Sequence, residues 1–227
     1  MRAALAGIKP SALACVGPVV DACTEIRLTS TIDYFFAPHS PWTYLGHARL
    51  VAMAEAAGAT VRLKPMDLNQ VFPVSGGLPL AKRAPQRQAY RLVELARFAR
   101  HLQLPLNLQP RFFPVDGNAA ARLILAVEAA HGTPQALAFA GRAMAAVWAQ
   151  ERDIADAAVL GGLLTEQGLP TTSLIDAAQG PEVQQRYEAF TQEAIASHVF
   201  GAPTYVVDGE MFWGQDRLDF VERALSR

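Results

Sequence analysis

The sequence predicts an α/β fold in which a βαβ unit near the front and a ββα unit at the end flank a large all-helical insertion, and three observations carry this. β-Branched and aromatic runs of strand length occur at Thr31–Phe36, Thr60–Pro65 and Thr204–Trp213. From about Arg87 to Ala178 the chain is rich in Ala, Leu and Gln, with helix punctuation and no strand candidate of useful length. Asp208-Gly209, set between two short β runs, is the strongest hairpin signal in the chain.

Taken in order, Thr31–Phe36 has the composition of a buried strand and ends ahead of a proline. Ala37-Pro38-His39-Ser40-Pro41-Trp42 then turns into a helix. Proline is pre-set for the first helical position, so Ser40 is the candidate N-cap. The backbone N–H groups beyond it lack helical partners, which makes the place fit for an anion or a thiolate. Apolar positions Trp42, Leu45, Leu50, Val51 and Ala54 follow a helical stripe, and Gly58 stands where a C-cap belongs. Thr60–Pro65 alternates as a second strand. Ser75 to Pro79 reads as a loop, and helices are expected near 86–101, 118–131, 134–149, 155–167, 171–178 and from Pro181 to about Ser197. Strands at Thr204–Val207 and Glu210–Trp213 form the hairpin, and a last helix runs from Gln215 or Asp216 to about Ala224. This order is the thioredoxin-like arrangement split by an insert, with residues 30–67 and 181–227 as the thioredoxin-like domain and 68–180 as the helical insertion.

Composition removes several classes of function. A formal net charge of -1 and a pI near 6.5 give no basic stripe for nucleic acid. No stretch approaches the ~18 uninterrupted apolar residues of a membrane helix. Cys15 and Cys23 fit neither a zinc pattern nor a C-x-x-C redox motif, and His47, His101, His131 and His198 show no metal spacing. Residues 1–29 are Ala-rich, but Lys9-Pro10 cuts the apolar run short of a signal peptide. They read as a disordered extension or the product of a start codon placed upstream of the fold, and the expected location is cytoplasmic.

Two longer motifs resemble a known family. Asp33-Tyr34-Phe35-Phe36-Ala37-Pro38-His39-Ser40-Pro41-Trp42-Thr43-Tyr44-Leu45-Gly46 and Phe200-Gly201-Ala202-Pro203-Thr204-Tyr205-Val206-Val207-Asp208-Gly209-Glu210-Met211-Phe212-Trp213-Gly214-Gln215-Asp216-Arg217 are similar to the 2-hydroxychromene-2-carboxylate isomerases. That family is similar in turn to kappa-class glutathione transferases and belongs to the DsbA-like thioredoxin superfamily. Pro79 to Arg83 and Arg87 to Arg91 resemble its linker and first insertion helix. The resemblance implies a glutathione-dependent cis-trans isomerase of an aromatic-derived carboxylate, with glutathione as cofactor and, by analogy, a homodimer.

Within the resemblance, Ser40 stands where a disulfide oxidoreductase carries its first redox cysteine. Serine cannot exchange disulfides. It can donate a hydrogen bond to a ligand's thiolate, and a helix-terminal site lowers a thiol pKa from about 8.5 to about 3.5–7.5. Ala202-Pro203 resembles the superfamily's cis-proline, which leaves the Ala202 backbone free to pair with a peptide ligand like an added strand. The resemblance gives Asp216 and Arg217 the γ-glutamyl end of glutathione; a surface ion pair is the alternative for Arg217. Arg87 takes the place of a family lysine that contacts glutathione, or is a solvated helix residue. Lys82 and Arg83 are candidates to share that work or to bind a substrate carboxylate. Asn118 matches a substrate-side asparagine, or serves only as a helix cap. Most of Trp42, Tyr44, Phe72, Tyr90, Phe112, Phe113 and Trp213 are expected in the core.

Three rival functions stand beside the isomerase. A kappa-like transferase shares the thiolate site but releases a conjugate. A non-catalytic thiol-peptide binder predicts glutathione affinity without turnover. A hydrolase-style nucleophilic Ser40 needs a general base within reach, and His39 is its neighbour in sequence only.

Overall fold

The structure is a computed structural model that describes residues 30–227. The expectations for residues 1–29, with Cys15 and Cys23, lie outside the described residues. Strands β1 (Thr31–Phe36), β2 (Thr60–Pro65), β3 (Thr204–Val207) and β4 (Glu210–Trp213) form one sheet in the order β2-β1-β3-β4. β1 runs parallel to β2 with Tyr34 opposite Leu63, and antiparallel to β3 with Tyr34 opposite Tyr205. The hairpin pairs Tyr205 with Phe212. Helix α1 (Pro41–Ala57) links β1 to β2, α9 (Leu218–Leu225) closes the chain, and α2 (Leu68–Ser75) to α8 (Pro181–Ala196) lie between. The elements of that stretch are α3 (Pro85–Leu102), α4 (Asn118–His131), α5 (Thr133–Trp148), α6 (Ala157–Glu166) and α7 (Thr171–Gln179).

Strand periodicity sorts the sheet's side chains into two cores. Ile32, Tyr34, Phe36, Tyr205 and Val207 face one way and join Leu50 of α1, Val221 of α9 and the inner faces of α4 to α7. Phe35, from the other face, meets Met66, Val71 of α2, Ala194 of α8 and Ala202. At 25–30 cal/mol per Å² of apolar surface removed from water, such burial is the main term holding the layers together. The insertion is thus built onto the sheet through the larger core.

Two boundaries differ from expectation. Residues 68–75 form α2, capped by the Asp67 side chain, which accepts from the Asn69 N–H at 2.9 Å. Its length and the internal Pro73 hide it from a search for helical periodicity. The last helix starts at Leu218, and Gln215–Arg217 forms one 3-10 turn ahead of it. Arg49 donates to the Gln215 carbonyl at 3.3 Å and to its Oε1 at 3.0 Å, so this carbonyl is tied to α1.

His47 of α1 ties the sheet to the insertion. Its Nε2 lies 2.9 Å from the Leu137 carbonyl, an acceptor only, so Nε2 carries the proton. Nδ1 then accepts from the Tyr34 hydroxyl at 3.2 Å. This neutral tautomer uses both nitrogens. Burial pushes the imidazole below its usual 6.5, against a smaller upward pull from the Leu137 carbonyl. A lowered folded-state value means that the unfolded chain binds the extra proton first. The contribution is therefore complete above pH 6.5 and is lost as the pH falls below it. The urea midpoint is expected to drop between pH 7.5 and 5.5 less steeply in His47→Gln than in the parent chain; equal slopes would contradict this assignment.

Candidate functional site

Ser40 stands at the junction of β1 and α1. Its extended backbone, with φ -79° and ψ 126°, and Pro41 behind it start the helix. The side-chain oxygen accepts from the Thr43 N–H at 3.3 Å, and the hydroxyl donates to the Ala202 carbonyl at 3.4 Å. Both contacts are long, so the hydroxyl proton is weakly held and can turn to a better acceptor. Neither Ser40 nor Thr43 carries sulfur, and Ser40 is 6% exposed. His39 makes no hydrogen bond to Ser40, so among the described residues no base activates this serine as a nucleophile.

Ala202 faces Ser40 from the loop before β3, and the Ala202-Pro203 peptide bond is cis. Among the described residues the Ala202 N–H has no acceptor. The next carbonyl, that of Pro203, accepts from the Gly214 N–H at 2.9 Å and holds the hairpin's end in place. A peptide laid beside Ala202 would therefore meet an open backbone edge.

A cavity of about 860 Å³ opens over this pair. One wall is aromatic, with Trp42, Phe72, Phe113 and Trp213. Another is basic, with Arg83, Arg87 and Arg91. Arg87 is exposed, whereas Arg91 stacks at 5.2 Å from the Phe113 ring centre and 5.6 Å from that of Trp148. Burial, then the charge of Arg83, brings the Arg91 guanidinium down to about 10, still cationic at neutral pH. Burial, followed by Arg87, likewise lowers Arg83. His39 also lines the cavity; its carbonyl accepts from Trp148 Nε1 at 3.2 Å, and burial lowers its imidazole against the pull of Asp116 and Asp67.

The structure brings Ser40, Ala202 and Arg87 to one cavity, with Pro203 directly behind Ala202. Asp216 and Arg217 do not line it; they pair with each other at 2.6 Å on the surface. Their turn still sits on α1, because Gln215 packs against Gly46, where an added Cβ would lie 2.8 Å from Gln215 Cβ. Lys82 is exposed and does not line the cavity. The cap expected of Asn118 is a correction: Gly117 occupies that position, Asn118 is the first helical residue, and its Oδ1 accepts from Tyr187 at 2.7 Å. Asp116 instead takes the Asn118 N–H at 2.9 Å.

Sequence reasoning passed over Arg91, although its spacing from Arg87 puts the two one turn apart on α3. Trp148 was equally unmarked. Trp42 and Phe113 are half-buried and Trp213 is 52% exposed, and all three line the cavity, so these aromatics belong to the cleft more than expected, whereas Tyr90 is exposed on α3 and does not line it.

Comparison with known proteins agrees with the fold. Residues 31–226 match the family described as DSBA-like thioredoxin domain. A 2-hydroxychromene-2-carboxylate isomerase of Sphingobium xenophagum is 31% identical over 199 residues, 87% of this chain and 99% of that protein. Glutathione S-transferase kappa 1 of Homo sapiens is 27% identical over 214 residues, 88% of this chain and 92% of that one. A solved 2-hydroxychromene-2-carboxylate isomerase structure superposes with a TM-score of 0.73 at 28% identity, covering 87% of this chain and 95% of the other.

Proposed function

Because the chain belongs to the DSBA-like thioredoxin family, in the group that holds the 2-hydroxychromene-2-carboxylate isomerases, we propose that it is a glutathione-dependent cis-trans isomerase of an aromatic-derived conjugated carboxylate. The observation that carries this reading is the weakly held Ser40 hydroxyl at the N-terminus of α1, facing the open backbone of Ala202 and with no cysteine in place. Glutathione, when bound, supplies a thiolate that adds to a conjugated carbon and leaves again, so that a double bond is a rotatable single bond in between.

The chain's own residues have separable tasks. Ser40 turns its O–H from Ala202 to the sulfur, and the helix terminus adds about half a unit of positive charge. Ala202 pairs with the peptide backbone. Asp216 suits the γ-glutamyl ammonium, with Arg217 beside it, and Arg87 at the cavity wall takes a peptide carboxylate in place of the family's lysine. Trp42 and Phe113 exclude water and hold a planar substrate.

The deciding experiment is a titration of the protein with glutathione, following thiolate absorbance near neutral pH. A signal that saturates is expected, and its absence would sink the thiolate reading. The kinship to a kappa-class transferase supports a second reading, in which the adduct is released. Product analysis separates them: a stable thioether formed while glutathione is consumed in proportion speaks for the transferase.

Asp216→Asn is expected to raise the KM for glutathione about fivefold, the size of a half-exposed charge pair, and to leave kcat nearly unchanged because the pair is remote from the sulfur. Steady-state rates at varied glutathione check it; an unchanged KM would remove Asp216 from the site.

A further inference from the structure

The arginine wall holds more positive charge than the described residues balance. None of Arg83, Arg87 and Arg91 forms a salt bridge among the described residues. Among the described residues the only acidic side chain lining the cavity is Asp116, and its Oδ1 is engaged by the Asn118 N–H. Arg91 is the most constrained of the three. Its guanidinium is clamped against the Phe113 and Trp148 rings, and its Nη2 is buried without a hydrogen-bond partner among the described residues. A buried cationic donor without an acceptor is unfavourable by itself, and an anion from outside relieves it. A guanidinium fixed in plane by stacking is pre-set for the two parallel hydrogen bonds of a carboxylate.

We propose that Arg91 is the residue that recognises the carboxylate of the electrophilic substrate, so that the cavity selects anionic aromatic or aryl-conjugated acids over their neutral analogues. This rests on the isomerase reading and adds to it the residue that reads the substrate's carboxylate. Two carboxylates meet that chemistry, the substrate's and the glycine carboxylate of glutathione. The first is favoured by position. Arg91 stands with Phe113 and Trp148 on the side of the insertion, whereas the edge open to a peptide is Ala202, on the side of the sheet, and the exposed Arg87 is available to the peptide's own carboxylate. An aromatic acid with its reacting carbon above Ser40 would lie along Trp42 and Phe113 and end at Arg91.

The test compares trans-cinnamate with neutral cinnamamide, each titrated into the protein with quenching of tryptophan fluorescence as readout. The wild type is expected to bind cinnamate about ten- to a hundredfold more tightly, the range of a charge-assisted hydrogen bond. Arg91→Met, which keeps most of the apolar stem, is expected to bind the two alike. Its affinity for glutathione should stay within twofold of wild type. Arg91→Lys retains charge without the planar fork and should fall between; it carries the test alone if Arg91→Met does not fold. A wild type without preference for cinnamate, a variant that keeps the full preference, or a loss confined to glutathione affinity would each overturn the proposal. None of these readouts requires turnover. A missing thiolate signal would therefore sink the glutathione reading and leave the carboxylate comparison standing.

Discussion

Ser40→Ala is expected to lower kcat/KM about 10²- to 10³-fold, the loss found when one pre-aimed donor is taken from a developing or resident anion. The hydroxyl lies at 3.4 Å from the Ala202 carbonyl and at 3.3 Å from the Thr43 N–H, so it gives up little when it turns to a thiolate. Hydrogen bonds to charged groups are worth about 1.5–3 kcal/mol, which corresponds to a rise of about 1–2 units in the pKa of bound glutathione when the donor is removed. Thiolate absorbance as a function of pH measures that rise directly. Ser40→Thr should keep most of the signal. Ser40 also caps α1, so the alanine variant should lose about 1 kcal/mol of stability as well. The urea midpoint reports that part separately. An unchanged thiol titration in Ser40→Ala would show that the helix terminus alone holds the sulfur and that the hydroxyl only caps.

Trp148→Ala is expected to destabilise the fold by about 3–5 kcal/mol, a large share of the roughly 5–15 kcal/mol that a domain has. The indole is fully buried, packs at 4.7 Å from Phe113 and donates from Nε1 to the His39 carbonyl at 3.2 Å. Its removal empties a space between the insertion and the segment before Ser40, and Arg91 loses one of its two stacking partners. Trp148→Phe keeps the apolar contact and drops the N–H, for about 1 kcal/mol. Urea unfolding of the three proteins checks both numbers. If the alanine variant lost no more than the phenylalanine variant, the indole would not be the link assigned to it.

The strands, the hairpin and the helices of the insertion were legible because each repeats one period long enough to see. α1 was legible to its ends, since Ser40-Pro41 and Gly58 are signals that act through local backbone chemistry. α2 was not, because eight residues with Pro73 among them show neither period clearly. The last helix began late because a distant arginine, Arg49, holds the Gln215 carbonyl, and no local rule sees that contact. At the site, the resemblance pointed to Ser40, Ala202 and Pro203, which the fold places beside one another, whereas a Ser-Pro pair on its own would have meant only a cap. Arg91 was hidden for a tertiary reason. On a helix with Arg87, Glu94 and Arg97 it reads as one more solvated charge, until the chain folds Phe113 and Trp148 against it. Asn118 shows the reverse error, a residue with cap chemistry whose side chain is used elsewhere.

The larger core draws on both the sheet and the inserted helices, with Tyr34, Leu50 and Tyr205 in the same cluster as Phe139, Met144 and Leu163. The start of α1 that carries Ser40 and the aromatic and basic wall of the cavity therefore rest on one core and melt as one unit. Variation in the wall is not modular: a substitution that reshapes it would shift the stability of the strand and helix that Ser40 joins. Substrate range in such a protein would drift by steps small enough for the shared core to absorb.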